Sequence, residues 1–289
     1  MSGIATLRRD RRDVAPGDGG NRVVSFMLGA LAWFLGLTFF FPIAWMVLNG
    51  FKTEADANGD PMLTFSPTTE QYSTVTEKDL FGEAFMSSVV IVLLSTLIVM
   101  ILAIPAAYAL AIKPVEKWRD VLFFFISTKF LPIVGAILPL YVIADYLDLI
   151  GTRTALVVLY TAMNLPLAVW MLRSFFAEVP RELIEASQMD GASLWGQITS
   201  VIMPIVAPGL AATALLCLIF AWNEFFLAVQ LNFANNQTVP IWVLSNVDDR
   251  SPFIARISAA STLATLPVVI AGWVAQKRMI RGLAMGAIK

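Results

Sequence analysis

Six long apolar runs, separated by polar segments, dominate the pattern along the chain. They cover residues 23–48, 84–112, 121–146, 154–176, 202–231 and 257–275. A helix needs about 20 largely apolar residues to cross the hydrocarbon core of a bilayer, and each run reaches that length. None shows the alternation of a barrel strand, and backbone in lipid must form its hydrogen bonds within the segment. The pattern therefore predicts an all-α membrane protein with six transmembrane helices.

Lysine and arginine concentrate in alternate connections, which predicts an orientation for the spans. These basic positions are the arginine-rich amino terminus, Lys113, Lys117, Arg119, the 173–181 region, and Lys277, Arg278, Arg281 and Lys289 in the tail. The opposite connections carry the acidic residues of 54–79, 145–148 and 248–249. Because cytoplasmic loops hold the excess of Lys and Arg, both termini are predicted to be cytoplasmic.

The composition agrees with a bilayer environment and excludes several kinds of site. Of the 289 residues, 58% are hydrophobic and 14% charged, which is more apolar than a soluble domain of this length. The net charge of −1 gives no basic surplus for nucleic acid. With no histidine and one cysteine, we predict no catalytic histidine, no Cys/His metal site and no intrachain disulfide. The first apolar run is too long for a signal peptide, so we predict a retained span.

One polar connection, between the fourth and fifth runs, has an organised pattern. It reads EVPRELIEASQMDGASLWGQITSVIMPIVAPG over residues 178–209. Pro180 suits the first turn of a helix over 181–189, and Gly191 permits a sharp turn after it. A second short helix is predicted from Ala192, before Pro204 begins the next span. The pattern indicates a docking element.

This loop resembles the EAA motif of binding-protein-dependent ABC importer permeases. The matching residues, which are the predicted ATPase-coupling residues, are Glu185, Ala186, Asp190, Gly191, Ala192 and Pro204. The departures are Ser187 for alanine, Ile198 for phenylalanine and Met203 for leucine. Further stretches extend the resemblance to the carbohydrate-type, maltose- and polyol-like permeases: AAYALAI (106–112), STKFLPIVGAILPLYV (127–142), AWNEFFLA (221–228), ATLPVVI (264–270) and RGLAMGAIK (281–289).

The resemblance implies one permease subunit of such an importer, with the type I importer fold, in a bacterial inner membrane. Its implied partners are a second permease subunit, with a heterodimer preferred, a dimer of cytoplasmic ATPase subunits that bind ATP and Mg, and a periplasmic solute-binding protein. The sequence agrees, because it has no G-x-x-x-x-G-K-[ST] phosphate loop for nucleotide. The implied cargo is a sugar, glycoside or sugar alcohol.

The resemblance also assigns roles within the loop. Glu185 would make the polar contact to the ATPase and Gly191 the turn. Ala186 and Ala192 would permit close approach. Closure of the ATPase dimer would then move the loop as a rigid body and tilt the spans.

The predicted organisation has five parts. They are a disordered cytoplasmic amino terminus (1–22), a first transmembrane helix (23–51), a periplasmic loop (52–83), a transmembrane core (84–280) with the coupling loop at 178–208, and a cytoplasmic tail (281–289). The 52–83 loop is long and polar, with prolines as breakers, and is predicted to form an external cap rather than a separate domain.

Lys129 and Asn164 are polar residues inside predicted spans. An ionised group at mid-bilayer costs about 2.5–3.5 kcal/mol on insertion scales, so such residues need a reason. Prolines interrupt both spans, and broken helices at depth are tolerated where they line a cavity. We predict that both residues border a solute pathway. The alternatives are snorkelling of Lys129 to the interface and an interhelical hydrogen bond from Asn164.

Asn223 and Glu224 follow Trp222 near the outer end of the fifth run. They are further candidates for the substrate pathway, although a structural role for this segment is an equal alternative. Glu224 could also be a proton-relay carboxylate, but no second acid lies near it in the run. Aromatic residues such as Trp33 and Phe123 could stack on sugar rings, or simply pack and face lipid.

Two other classes of function compete with the permease interpretation. A six-span secondary carrier or channel would use Lys129, Asn164 and Glu224 as an ion path, but would have no use for the EAA-like loop. An intramembrane enzyme would need paired carboxylates, a metal cluster or an activated nucleophile, and the sequence offers none of these.

Overall fold

The structure is a computed structural model that describes residues 19–59, 63–77, 81–112, 116–130, 132–232, 235–245 and 253–286, with side chains described between 23 and 276. The predicted disordered amino terminus, residues 1–22, lies outside these residues over 1–18, whereas its last four residues belong to a helix. The basic or acidic positions at Lys113, Asp60, Asp79, Asp248 and Asp249 and the side chains of the tail also lie outside them. The chain divides into two compact units, Met1–Leu48 and Asn49–Lys289.

All regular structure within the described residues is helical, which confirms the predicted class. The helices are α1 (Gly19–Asn49), α2 (Glu54–Asn58), α3 (Glu70–Glu77), α4 (Phe81–Ala111), α5 (Trp118–Ser127), α6 (Ile133–Tyr146), α7 (Arg153–Ala177), α8 (Arg181–Met189), α9 (Leu194–Gly196), α10 (Met203–Trp222), α11 (Phe226–Asn232), α12 (Val239–Leu244) and α13 (Ile254–Gly286). A 3₁₀ turn follows α5 at Thr128–Phe130, and a π-helical segment, Gln197–Ile202, joins α9 to α10.

The first unit consists of most of α1. Its apolar stretch of 27 residues, Val23–Asn49, is long enough to cross a bilayer. Thr38 satisfies its hydroxyl by donating to the carbonyl of Phe34 at 2.8 Å, as expected for a threonine in a span. Phe41 stacks on Trp45 one turn later.

Among the residues that the structure describes, five helices are long and apolar enough to span a membrane, or six if one bent pair is counted as a single span. The five are Val23–Asn49, Phe81–Ala111, Arg153–Ala177, Leu194–Trp222 and Ile254–Gln276. The bent pair is Trp118–Phe130 with Ile133–Tyr146, which meet at 90°. The predicted number of six spans is therefore reached only when this bent pair is counted as one span.

The third predicted span, 121–146, is not one continuous helix. It breaks at the 3₁₀ turn, and Pro132 caps the second half at φ −63° and ψ 113°. Proline offers no N–H and disfavours the helical conformation in the residue before it, which explains the break. The bend places Lys129 at a helix terminus instead of along a straight span.

The fifth predicted span, 202–231, also differs at both ends. It begins at Leu194, because α9 continues into α10 through the π-helical segment, so the second short helix of the loop is not separate. Pro204 and Pro208 remove two backbone donors there, which is a known cause of local widening. At the other end α10 stops at Trp222, and α11 is a distinct short helix.

Helices α4 and α7 pack along each other at the centre of the second unit. Small residues of α4 and α7, including Ala103, Ala107 and Ala168, are fully buried in one core cluster at the coupling-loop end. Close approach through small residues is how helices associate in lipid. A second cluster, which includes Ile91, Leu156 and Tyr160, forms the other half of the core.

The 52–77 segment is tied to the last helix. The carboxylate of Glu54 accepts hydrogen bonds from the backbone N–H groups of Ala255 at 3.1 Å and Arg256 at 2.9 Å. These groups belong to the first turn of α13, whose N–H groups lack helical partners. The loop before α4 is thereby joined to a helix two hundred residues later.

Candidate functional site

The coupling loop begins with α8, which is the predicted helix over 181–189. Pro180 precedes its first residue, and Ile184 and Ser187 face inward and are buried. Glu185 and Ala186 are exposed. The helix therefore rests on the protein by Ile184 and Ser187, while the side chains of Glu185 and Ala186 stay accessible.

Gly191 ends this helix in the left-handed conformation, at φ +76°. Its N–H donates to the carbonyl of Gln188, and that of Ala192 donates to the carbonyl of Ser187, both at 3.0 Å. This is the hydrogen-bond pattern of a Schellman motif, in which glycine avoids the steric cost that a Cβ would bring. The predicted turn at Gly191 is confirmed.

The far side of the turn exposes large apolar side chains. Ser193 caps α9 by accepting from the N–H of Gly196 at 3.1 Å. Trp195 is 70% exposed and Met189 is 89% exposed, beside the exposed carboxylate of Asp190. Exposed aromatic and methionine side chains around a polar turn are typical of a protein-binding surface. Ile198, by contrast, is buried, and Pro204 is exposed at the start of α10.

A buried hydrogen bond connects the loop to the transmembrane core. The hydroxyl of Tyr108 on α4 donates to the side-chain carbonyl of Gln197 at 3.1 Å, and both residues are buried. Sequence reasoning missed this pair, although a glutamine at the start of an apolar run is a signal for it. Through this contact a displacement of α9 would be passed to α4.

The membrane-embedded candidates meet at a cavity of about 470 Å³. Lys129, Asn223 and Glu224 line it, together with apolar side chains that include Phe130, Met163 and Phe220. Three of the four predicted pathway residues are thus brought together. The sequence did not predict that these aromatic and methionine side chains line the cavity, because such residue types are common in any transmembrane span.

Lys129 is held by two neighbouring helices. Its ammonium donates to the carbonyl of Met163 at 2.8 Å and lies 5.9 Å from the centre of the Phe220 ring. Pro166, inside α7, removes the backbone donor that would serve the carbonyl of residue 162, one residue before this contact. An ammonium has three donors, and this arrangement leaves capacity for a further acceptor in the cavity.

Glu224 uses its carboxylate as a helix cap. The two oxygens accept from the N–H groups of Leu227 at 2.9 Å and Ala228 at 3.2 Å, in the first turn of α11. Tyr160 donates to the backbone carbonyl of Glu224 at 3.3 Å. Asn223 donates to the carbonyl of Ile219 at 2.8 Å and is otherwise exposed.

Asn164 does not line the cavity. It is fully buried between α7 and α10, where its amide donates to the carbonyl of Cys217 at 3.4 Å. The geometry matches the alternative of an interhelical hydrogen bond. Trp222 is likewise buried, and its indole N–H donates to the carbonyl of Ala264 at 3.0 Å. No cluster of metal-ligating side chains occurs in the part of the chain that the structure describes.

A protein-family comparison matches residues 102–280 to the inner membrane component of binding-protein-dependent transport systems. The matched region contains the whole loop and both α7 and α10. The chain belongs to this family. The predicted resemblance is confirmed, and it favours the permease interpretation over a secondary carrier.

Several relatives of this permease match over most of their length. It is 32% identical to the probable ABC transporter permease protein y4oR of Sinorhizobium fredii over 93% of the chain and 98% of the relative. It is 32% identical to the sulfoquinovosyl glycerol transport system permease protein SmoH of Agrobacterium fabrum, over 86% and 88%. The trehalose/maltose permease MalG of Thermococcus litoralis is 31% identical, over 92% and 96%.

The fold of the permease matches a solved structure. That structure is a bacterial ABC transporter involved in the import of the acidic polysaccharide alginate, with a TM-score of 0.75 and 21% identity over 90% of this chain and 98% of the other. The predicted importer fold is confirmed. The chain is accordingly an inner membrane, multi-pass permease component of a binding-protein-dependent transport system.

Proposed function

We propose that this permease moves a sugar, glycoside or sugar alcohol into the cell, driven by ATP hydrolysis in separate ATPase subunits. Relatives named for trehalose, maltose, diacetylchitobiose and sulfoquinovosyl glycerol support the carbohydrate class. The permease pairs with a second permease subunit as a heterodimer. Partner ATPase subunits bind ATP and Mg, and both termini face the cytoplasm.

The coupling loop is the contact to the ATPase. The observation that carries this assignment is the αL turn at Gly191, which closes α8 while Glu185 and Asp190 stay exposed. Such a turn leaves the loop backbone few internal degrees of freedom, so a force applied to the loop moves it as a rigid body. The buried contact between Tyr108 and Gln197 supports transmission to α4.

The cavity beside Lys129 borders the solute pathway. A lysine, an asparagine and aromatic rings are groups that bind hydroxylated ligands, by hydrogen bonds and by stacking on the apolar faces of sugar rings. Lys129 and Asn223 are the contact groups, and Glu224 shapes the wall by capping α11. Asn164 contributes indirectly, by holding α7 against α10.

The test is uptake by the whole complex, purified with its ATPase and binding protein and placed in proteoliposomes. A thermal-shift screen of the binding protein against sugars, glycosides and polyols supplies the cargo. We expect uptake to require internal ATP, and Glu185→Ala to lower both uptake and cargo-stimulated ATPase activity at least tenfold. Glu182→Ala, on the same helix and equally exposed, is the matched control and is expected to transport normally.

Two results would overturn the proposal. Uptake by this permease alone under an ion gradient would remove the requirement for an ATPase. A Glu185→Ala complex that transports at the rate of the Glu182→Ala complex would remove the role of the loop.

A further inference from the structure

A second cavity, of about 460 Å³, lies behind the coupling helix. It is bounded by the end of α4, the end of α7 and the inner side of α8. Its polar lining groups are Arg173, Arg181, Glu185 and Gln188. The charged groups thus comprise two guanidinium groups and one carboxylate, so the cavity has a positive excess.

Arg173 is the most constrained of these groups. The central carbon of its guanidinium lies 4.0 Å from the centre of the Trp118 ring, a close cation–π contact. Its Nε is buried and has no hydrogen-bond partner within the described residues. Because that atom is closed to solvent, the guanidinium can reach the cavity that it lines only through its terminal amino groups.

The position of the cavity indicates which kind of ligand could reach these guanidinium groups. Ala111 and Ala177, the last residues of α4 and α7, both line it, so it lies where two transmembrane helices leave the apolar layer. Trp118 beside it is a residue type that favours the membrane interface. Basic pockets between transmembrane helices at this depth are suited to anionic lipid headgroups.

We propose that this cavity binds a phosphate group, supplied by the headgroup of an anionic phospholipid. Arg173 and Arg181 donate to the phosphate oxygens, as guanidinium groups do in a planar, two-pronged geometry. Gln188 donates its amide to a remaining oxygen. The assignment of this face to the cytoplasmic leaflet rests on the proposed function, whereas the phosphate site itself does not.

Occupancy of the site bears on the coupling loop. Glu185 and Gln188 project from α8 into the same cavity, so a bound headgroup would contact the helix that carries the exposed motif. A headgroup in the cavity adds contacts to α8, and without a headgroup α8 lacks those contacts. Coupled transport is therefore expected to depend on anionic lipid.

The test measures lipid retention by the complete complex. The complex is delipidated, placed in nanodiscs of phosphatidylcholine with increasing phosphatidylglycerol, and analysed by native mass spectrometry for bound lipid. We expect the wild type to retain phosphatidylglycerol about tenfold better than phosphatidylcholine, as a charge-assisted pair of this kind allows. Arg173→Gln and Arg181→Gln are each expected to reduce that preference by about the same factor.

Arg119→Gln is the matched control. Arg119 also faces the Trp118 ring, at 5.3 Å, but is exposed and does not line the cavity, so its loss should leave lipid retention unchanged. Because Arg181 is exposed, its replacement also tests the site without disturbing the packing of Arg173.

A competition experiment with inorganic phosphate distinguishes the two possible sources of the bound phosphate group, which are a lipid headgroup and free phosphate. Displacement of phosphatidylglycerol by millimolar phosphate in the wild type alone supports a phosphate site. Phosphate binding with no preference between the two lipids overturns an anionic lipid as its source, because both lipids carry a phosphate group and only their net charge differs. Equal retention of phosphatidylglycerol by the wild type, Arg173→Gln and Arg181→Gln overturns the site itself, and none of these results depends on transport.

Discussion

The coupling loop closes its backbone through contacts between near neighbours, whereas the membrane cavity is lined by groups from three separate segments of the chain. In the loop, Gly191 and Ala192 bond to carbonyls three and five residues earlier. In the cavity, Lys129 bonds to Met163, which lies 34 residues away. The loop can therefore keep its shape while it moves, and the cavity changes shape whenever its helices shift. That difference suits one region to transmit force and the other to admit and release cargo.

The largest expected effect comes from breaking the shape of the loop. Gly191→Val should reduce uptake at least thirtyfold, because an L-residue in the left-handed region costs about 1–2 kcal/mol and a β-branched one more. No atom lies within 4 Å of a Cβ placed at Gly191, so a clash of the Cβ with neighbouring groups does not contribute. Uptake and ATPase rates of the purified complex are the measurement.

Gly191→Asn is the control for that change. Asparagine tolerates the left-handed conformation, so most uptake should remain. If valine and asparagine impair uptake equally, the turn is not what the loop contributes.

A smaller effect is expected in the cavity. Lys129→Met should lower uptake about tenfold by removing the charge-assisted contact that we assign to cargo, while the complex still assembles. Lys129→Arg keeps the charge and should retain most uptake. If Lys129 only extends to the membrane interface, Lys129→Met should have nearly wild-type uptake, and that result would contradict a role for Lys129 in the pathway.

The smallest effect distinguishes a helix cap from an ion path at Glu224. Glu224→Gln should stay within about twofold of wild-type uptake, because the amide oxygen can still cap α11. Glu224→Ala should destabilise the complex by about 1 kcal/mol, seen as a lower thermal unfolding midpoint. A glutamine variant that abolishes uptake with unchanged stability would restore the proton-relay hypothesis.

Much of the loop could be predicted because its structure is local. Pro180, the apolar spacing over 181–189 and Gly191 together determine a helix and its end within about a dozen residues. Proline positions predicted interruptions in the third and fourth spans, but only Pro132 accompanies a break, while Pro139 and Pro166 lie inside continuous helices. The 90° angle at the break was not predicted. That angle depends on how the two halves pack, which periodicity does not contain.

Sequence alone determined that the chain is an all-α membrane protein and which residues form the helix and turn of the coupling loop. Hydrophobic length and turn chemistry are properties of short stretches, so they can be read without a fold. The tertiary structure decided which polar residues meet. Lys129 and Glu224 line the same cavity, whereas Asn164 is buried and bonds to the carbonyl of Cys217. Tyr108 bonds to Gln197, which lies 89 positions away along the chain. Such pairs depend on the relative rotation and depth of packed helices. The sequence of an apolar span does not show which of its faces packs against another helix.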